Sequence, residues 1–286
     1  MVNTGERTDK PLGRVINIIR EIAEPDFVYL LSTTYQHQSQ QSLFSTEWTS
    51  ERKASVHILL VLIDDLQGLP EHEWQDRIEQ RCKPVLNVFT IVMRTGRFAE
   101  WLEQGHRFAD MIVRGLTPEY SCGTVDLSPT GAVSPDPKAD EAYCMAGLNR
   151  SREFLAGAEL YRLRKQNTMA AFMLHQSAEQ ALCTLIKTGT GWHTRTHNLE
   201  RLVRYGSMVV PEITGIFGSA EEQRRLLKLL QQAYSNSRYA SDYCIQSSDL
   251  ENLTNSVREL QAIVTLATRN YINITANEGK NQKETS

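Results

Sequence analysis

The chain has 286 residues, enough for one large domain or for two ordinary domains with a hydrophobic core each. Its formal net charge is -3, so no large positive field requires a nucleic-acid partner, although a local groove could still be basic. The five cysteines are scattered, odd in number and without a Cys-x-x-Cys pair, which argues against a disulfide or zinc framework.

Two features bear on cellular location: the polar start of the chain and the short length of its apolar runs. Residues 1–14 lack the apolar core of a signal peptide. The most apolar run, residues 56–63, is far too short to cross a bilayer. We therefore expect a cytoplasmic protein that makes no membrane contact.

The first part of the chain alternates between helical and strand patterns. Apolar residues at helical spacing predict a helix over residues 11–24, which Pro25 ends. Residues 27–31 are typical of a buried strand, and a polar segment follows at 32–49. The continuous apolar run over residues 55–63 predicts a central strand. Further on, we predict a helix over residues 71–83, a strand over 85–93 and a helical stretch over 98–113, interrupted near Gly105. This alternation indicates a small α/β domain.

A change of composition separates this part from the remainder. Residues 121–138, rich in Gly, Pro and small polar residues, are predicted to link a first domain, residues 1–120, to a second, residues 139–276. Only helical patterns follow, over residues 139–165, 168–188, 197–209, 220–247 and 249–272. Residues 277–286 are predicted to be a disordered tail. The fold class expected is a two-domain α+β protein that ends in an all-α bundle.

The helix predicted over residues 168–188 carries two joined apolar rows, which is typical of the central helix of a bundle. The rows consist of Ala171, Leu174, Ala178, Ala181 and Leu185, and of Phe172, Leu182 and Ile186. His175 and Glu179 interrupt the second row one turn apart. Such a pair is either a satisfied core histidine or part of a functional site.

Three short motifs follow one another in the second half of the chain. They are His-Gln-Ser-Ala-Glu-Gln-Ala-Leu at residues 175–182, Thr-His-Asn-Leu at residues 196–199, and Arg238-Tyr239. In this order they resemble the HEPN domain, over residues 139–271. The resemblance implies a helical bundle that forms homodimers. HEPN ribonucleases have an Arg that is followed, about four to six residues later, by a His. The resemblance implies that this Arg stabilises phosphate charge and that the His moves the 2′-hydroxyl proton.

The end of the predicted helix 220–247 departs from that ribonuclease pattern. Arg238 matches the Arg, but Tyr243 stands where the His is expected, and a phenol is a poor general base at neutral pH. We therefore predict binding without cleavage: Arg238 would clamp a phosphate, and Tyr234, Tyr239 and Tyr243 would stack on bases. In the alternative, Arg238 and Asp242 form an intrahelical ion pair and the tyrosines fill the bundle.

His197 lies at a predicted helix start and is a second candidate for ligand contact. The alternative is that Thr196 or Asn198 caps the helix there and the histidine is incidental. A basic row, either a solvated face or the wall of a nucleotide groove, comprises Arg195, Arg201 and Arg204.

The strand–loop–strand pattern over residues 11–120 resembles the nucleotidyltransferases that are often joined to HEPN domains. Residues 27–35 resemble their first strand and phosphate-holding turn, and residues 98–120 resemble the closing helices and last short strand. Their chemistry needs a Gly-Ser turn and two carboxylates, two residues apart on the next strand, to hold two Mg²⁺ ions.

The residues at those positions lack the required chemistry. The turn would be Leu31-Ser32, and the carboxylate pair would be Ser55 and His57. Neutral side chains cannot offset the repulsion between two divalent cations. Asp64 and the following Asp65 are either a displaced metal site or an acidic turn at the end of a strand.

We therefore predict a nucleotide- or RNA-binding regulator without catalytic activity, which forms a homodimer through its bundle and needs no cofactor or metal. Two alternatives remain. One is a metal-independent ribonuclease in which His175 or His197 replaces the missing His. The other is a nucleotidyltransferase with a rearranged site around Asp64, which alone would require Mg²⁺.

Overall fold

A computed structural model describes residues 11–35, 40–42, 54–129, 136–217, 221–239 and 244–284. The chain divides into two compact units, Met1–Ser134 and Pro135–Ser286. The division falls inside the predicted linker, residues 121–138. The first unit holds a mixed sheet with helices and the described part of the second is helical, which confirms the predicted α+β class.

The first unit follows the predicted order of strands and helices. Its strands are β1 (Phe27–Tyr35), β2 (Gln40–Ser42), β3 (Ala54–Ile63), β4 (Val88–Arg94) and β5 (Tyr120–Ser121). Its helices are α1 (Pro11–Ala23), α2 (Glu71–Cys82), α3 (Thr95–Glu103) and α4 (Arg107–Gly115). The last two helices are separated at Gly105, whose φ of 66° suits glycine, so the predicted interruption is confirmed.

The central strand of the sheet is β3, as its continuous apolar run predicts. It pairs antiparallel with β1 and parallel with β4, while β2 and β5 pair with β1. On one face, Leu59, Val61 and Ile63 pack in the core formed with α1 and α2. Residues of the other face, such as Leu60 and Leu62, are equally buried. Because both faces are covered, the part of β3 from Ile58 to Ile63 contains no polar residue.

The predicted phosphate-holding turn at Leu31-Ser32 differs from the structure. Strand β1 continues through Tyr35, with register irregularities between Leu30 and Ser32 and between Thr34 and Tyr35. Ser32 is 2% exposed and lies opposite Ile58 in the ladder. Ser32 therefore lies inside a strand rather than in a turn.

The second unit is built around one central helix. Its helices are α5 (Pro137–Leu163), α6 (Asn167–Thr190), α7 (Leu199–Ser207), α8 (Ile213–Phe217), α9 (Glu221–Tyr239) and α10 (Ser247–Glu284). Helix α6 contacts α5, α7, α9 and α10, and every member of its two predicted apolar rows is buried except Phe172, which is half-buried. This confirms the prediction of a central bundle helix.

Two features of the second unit were not predicted. The short helix α8 was missed. Helix α10 runs on to Glu284, where the sequence predicted a disordered tail from residue 277. Within the described residues, no helix has the combination of length and apolar character needed to cross a membrane.

Candidate functional site

Glu179, a carboxylate inside the helical unit, lies between two imidazoles. Its side chain is only 7% exposed, and its Oε1 lies 2.9 Å from Nδ1 of His197. Its Oε2 lies 3.7 Å from Nδ1 of His175, one turn earlier on α6. His175 is fully buried, whereas the His197 side chain is 55% exposed. Glu179 therefore connects an interior histidine with one at the surface.

Tyr234 of α9 completes this group of side chains. Its ring centroid lies 5.0 Å from that of His175 and 5.1 Å from that of His197, with interplanar angles of 26° and 17°. Ring contacts of this kind restrict how both imidazoles can rotate. We call His175, Glu179, His197 and Tyr234 the histidine–glutamate cluster.

The segment that carries His197 is anchored at both ends. Helix α6 is capped after Thr190 by Gly191, whose φ of 82° is left-handed and whose carbonyl accepts a hydrogen bond from Nζ of Lys187. At the other end, Asn198 caps α7 by accepting from the backbone N–H of Arg201 at 3.1 Å. The predicted capping role of Asn198 is thus present, together with the contact of His197 to Glu179.

Beside this cluster, helices α5 and α6 and residues 193–197 enclose a cleft of about 570 Å³. Its lining residues are Tyr143, Arg150, Phe154, Glu179, Gln180, Cys183, Thr184, His193, Thr194, Arg195, Thr196 and His197. Arg150 and Arg195 are both exposed at its edge, and Nε of Arg150 donates to Oε1 of Gln180 at 3.2 Å. Glu179 is the one carboxylate in this described lining. Fixed positive charge therefore outweighs negative charge around the cleft.

Two further groups of the cleft are held in their neutral forms. Burial, with a smaller contribution from Glu179, raises the pKa of the Cys183 thiol to about 12. Burial also raises the pKa of Tyr143. Cys183 contributes to this rise, and Arg150 opposes it. The thiolate is the nucleophilic form of cysteine, so Cys183 is not a nucleophile at neutral pH.

This helical architecture agrees with a known family. The model of the HEPN domain family matches residues 146–267. This helical region is thus similar to HEPN domains. All four members of the histidine–glutamate cluster lie within the matched residues, as do Arg150 and Arg195.

The chain as a whole is similar to a solved structure, the nucleotidyltransferase-like protein from Exiguobacterium sibiricum 255-15. Identity is 11%, the TM-score is 0.30, and the match covers 94% of this chain and 78% of that chain. Comparison with curated proteins gives no match.

Of the HEPN-domain residues predicted to bind a ligand, the structure brings His175 and His197 together through Glu179 and Tyr234. Arg238 and Tyr239 belong to the last turn of α9, but their side chains lie outside the described residues. Tyr243 also lies outside them. Their predicted roles therefore remain predictions.

The predicted basic row does not form a single face. Arg195 is exposed and lines the cleft, whereas Arg201 is 9% exposed. Burial lowers the pKa of Arg204, and Glu200 opposes that shift. The row is thus neither a uniformly solvated face nor a groove wall. Arg150 had no signal of its own in the sequence, because its place at the cleft depends on how α5 packs on α6.

In the first unit, the position expected to carry a metal-binding carboxylate holds a buried histidine. Nδ1 of His57 lies 2.9 Å from Oγ1 of Thr33, and burial lowers the pKa of His57. The Ser55 side chain lies outside the described residues. Asp64 is exposed, and Asp65 accepts a hydrogen bond from the backbone of Gln67, as in an acidic turn. No group of three or more potential metal ligands occurs among the described residues.

Proposed function

We propose that this protein is a nucleotide- or RNA-binding regulator whose HEPN domain holds phosphate groups in the cleft between α5, α6 and residues 193–197. The observation that carries the proposal is the charge of this cleft. Arg150 and Arg195 provide guanidinium groups, which bind phosphate oxygens through paired hydrogen bonds. Glu179 is directed toward His197 and His175, and only 7% of its side chain is exposed.

The cleft also offers flat surfaces beside these cations. Tyr143, Phe154 and His193 line it, and rings of this kind stack on bases without sequence preference. Farther along α9, Arg238 follows Tyr234 by one turn of the helix. In this proposal Arg238, Tyr239 and Tyr243 extend the binding surface beyond the cluster.

The proposal assigns no catalysis to the first unit. Two-metal nucleotidyl transfer requires closely spaced carboxylates, and His57 with its Thr33 partner supplies none. The family resemblance further supports a homodimer formed through the HEPN domain, and the five scattered cysteines support a cytoplasmic location. Sedimentation velocity of the purified protein tests the dimer, and a single monomeric species at micromolar concentration contradicts it.

The binding proposal is tested by fluorescence anisotropy with a labelled single-stranded RNA and, separately, with ATP. We expect the double variant Arg150→Gln/Arg195→Gln to weaken binding at least about tenfold and to reduce its salt dependence. The control is Arg152→Gln, an exposed arginine of α5 outside the cleft lining. Equal affinity of the double variant and the control overturns the proposal.

The contact between Glu179 and His197 favours a second candidate function, a metal-independent ribonuclease. A carboxylate 2.9 Å from Nδ1 orients an imidazole and fixes its tautomer, as in acid–base catalysis. His197 would then accept the 2′-hydroxyl proton in place of the histidine that the ribonuclease pattern has where this chain has Tyr243. RNA incubated in EDTA provides the test: cleavage that His197→Gln abolishes supports this candidate, and intact RNA excludes it.

A further inference from the structure

The histidine–glutamate cluster fixes which nitrogen of His197 can face a ligand. A carboxylate accepts hydrogen bonds and donates none, so the short contact to Glu179 places a proton on Nδ1 of His197. In neutral imidazole the other nitrogen, Nε2, then carries a lone pair and no proton. That lone pair repels a phosphate oxygen. Nε2 can donate to a phosphate only after the ring has taken up a second proton.

We infer that His197 binds an anionic ligand as an imidazolium held between Glu179 and a phosphate, so that the cleft takes up a proton when it takes up phosphate. The inference rests on the proposed function, because it concerns the same cleft. The imidazolium of His197 adds a third cationic contact beside those of Arg150 and Arg195. Unlike theirs, this contact exists only below a certain pH. Affinity should therefore depend on pH as well as on salt.

Glu179 is suited to hold this extra charge. It is 7% exposed, and its Oε2 accepts no hydrogen bond from the part of the chain that the structure describes. Taking an ionised carboxylate out of water is costly unless a positive partner lies close by. When phosphate is bound, an imidazolium at 2.9 Å from its Oε1 becomes such a partner. The stacked ring of Tyr234 keeps the imidazole in place for it.

The other charged and titratable groups around His197 explain why the proton is linked to the ligand. These groups are Tyr143 and Arg150 on α5, His175, Glu179 and Cys183 on α6, Tyr234 on α9, and His193 and Arg195 in the connecting segment. In the empty cleft the two arginines oppose a third positive charge. A bound phosphate removes that opposition and adds a negative charge. Arg238, one turn beyond Tyr234, keeps its proton at every relevant pH and so cannot supply the effect.

Isothermal titration calorimetry measures the proton directly. The probe is a single-stranded RNA without terminal phosphates, because its diester groups do not titrate near neutral pH. Titrations at pH 7 in PIPES and in Tris, whose ionisation enthalpies differ widely, yield the number of protons taken up. We expect a value between zero and one, and an affinity that falls as the pH rises, by up to about tenfold per pH unit.

The variant His197→Gln should bind RNA with no proton uptake and with an affinity that no longer depends on pH. His72→Gln, a change at an exposed histidine of α2, should behave as the unchanged protein does. RNA binding with equal enthalpy in both buffers overturns this inference and leaves the binding proposal standing. Proton uptake that persists in His197→Gln overturns it as well. Absence of RNA binding in every buffer overturns both.

Discussion

Gly147 of α5 packs directly on Thr184 of α6: a Cβ atom added to Gly147 would lie 2.1 Å from the Thr184 hydroxyl oxygen. Thr184 cannot easily move away, because it is β-branched and its hydroxyl donates to the carbonyl of Gln180 at 2.7 Å. The Gly147→Ala variant must therefore push the two helices apart. We expect it to lower the free energy of unfolding by about 1–3 kcal/mol.

Urea denaturation followed by tryptophan fluorescence measures this loss, because Trp192 is the one tryptophan of the second unit and is buried against Tyr205. Gly157→Ala is the matched control on the same helix. Its new methyl group would lie 3.7 Å from Sδ of Met173, which is an ordinary van der Waals contact. The higher helix propensity of alanine should therefore raise the free energy of unfolding by about 0.5–1 kcal/mol. Equal effects of the two variants would contradict this account of α5–α6 packing.

Elements with a long, unmixed pattern could be predicted from the sequence. The apolar run of β3 and the double apolar row of α6 depend only on local periodicity, and both predictions are confirmed. The extension of β1 through Ser32 and Thr33 could not be predicted in this way. These polar residues are in a strand because β3 pairs with them, and His57 accompanies Thr33 in the ladder.

The candidate site shows the same limit. His175 and Glu179 are one turn apart on a helix, so their proximity follows from spacing alone. The contact of Glu179 with His197 joins residues 18 positions apart and depends on the turn at Gly191. Arg150 reaches the cleft only through the register of α5 on α6. Sequence periodicity predicts neither the contact between Glu179 and His197 nor the position of Arg150 at the cleft.

The stability of the first unit should fall on acidification because of His57. Burial lowers its pKa in the folded state, so the unfolded chain binds a proton more readily. The stabilising effect is complete above about pH 6.5, the ordinary value for histidine, and is lost as the pH falls toward the folded value. The slope should not exceed about 1.4 kcal/mol per pH unit.

Urea denaturation between pH 8 and pH 5 tests this in a Trp192→Phe background, where the remaining tryptophans all belong to the first unit. His57→Gln should flatten the dependence within this window. His72→Gln, which alters an exposed histidine, should keep it. A steeper loss in His57→Gln than in the Trp192→Phe protein would show that another group is responsible.

The cysteines should differ strongly in their reaction with iodoacetamide at pH 8. Burial and, to a smaller extent, Glu79 raise the pKa of Cys82 to about 11, and the pKa of Cys183 is raised to about 12. At pH 8 only about one thiol in a thousand or fewer is then ionised. Cys244 is exposed and should react first. Peptide mass spectrometry gives the order, and rapid labelling of Cys183 in the folded protein would contradict a neutral thiol in the cleft.

Gln261 of α10 joins the three longest helices of the second unit through a buried polar network. Its Nε2 donates to Oγ of Ser151 at 2.8 Å and to Oγ of Ser177 at 2.9 Å, while each serine hydroxyl donates to the other's backbone carbonyl. Gln261→Met keeps the volume but leaves both serine oxygens without this donor. Because buried polar groups that lose a partner cost about 1–3 kcal/mol, the free energy of unfolding should fall by that amount.

Gln246→Met, at an exposed position just before α10, is the control and should change the free energy of unfolding by less than about 0.5 kcal/mol. The triple variant Ser151→Ala/Ser177→Ala/Gln261→Met should recover part of the loss, since no acceptor is then left unsatisfied. If Gln261→Met were as stable as the unchanged protein, the network would not stabilise the packing of α10 on α5 and α6.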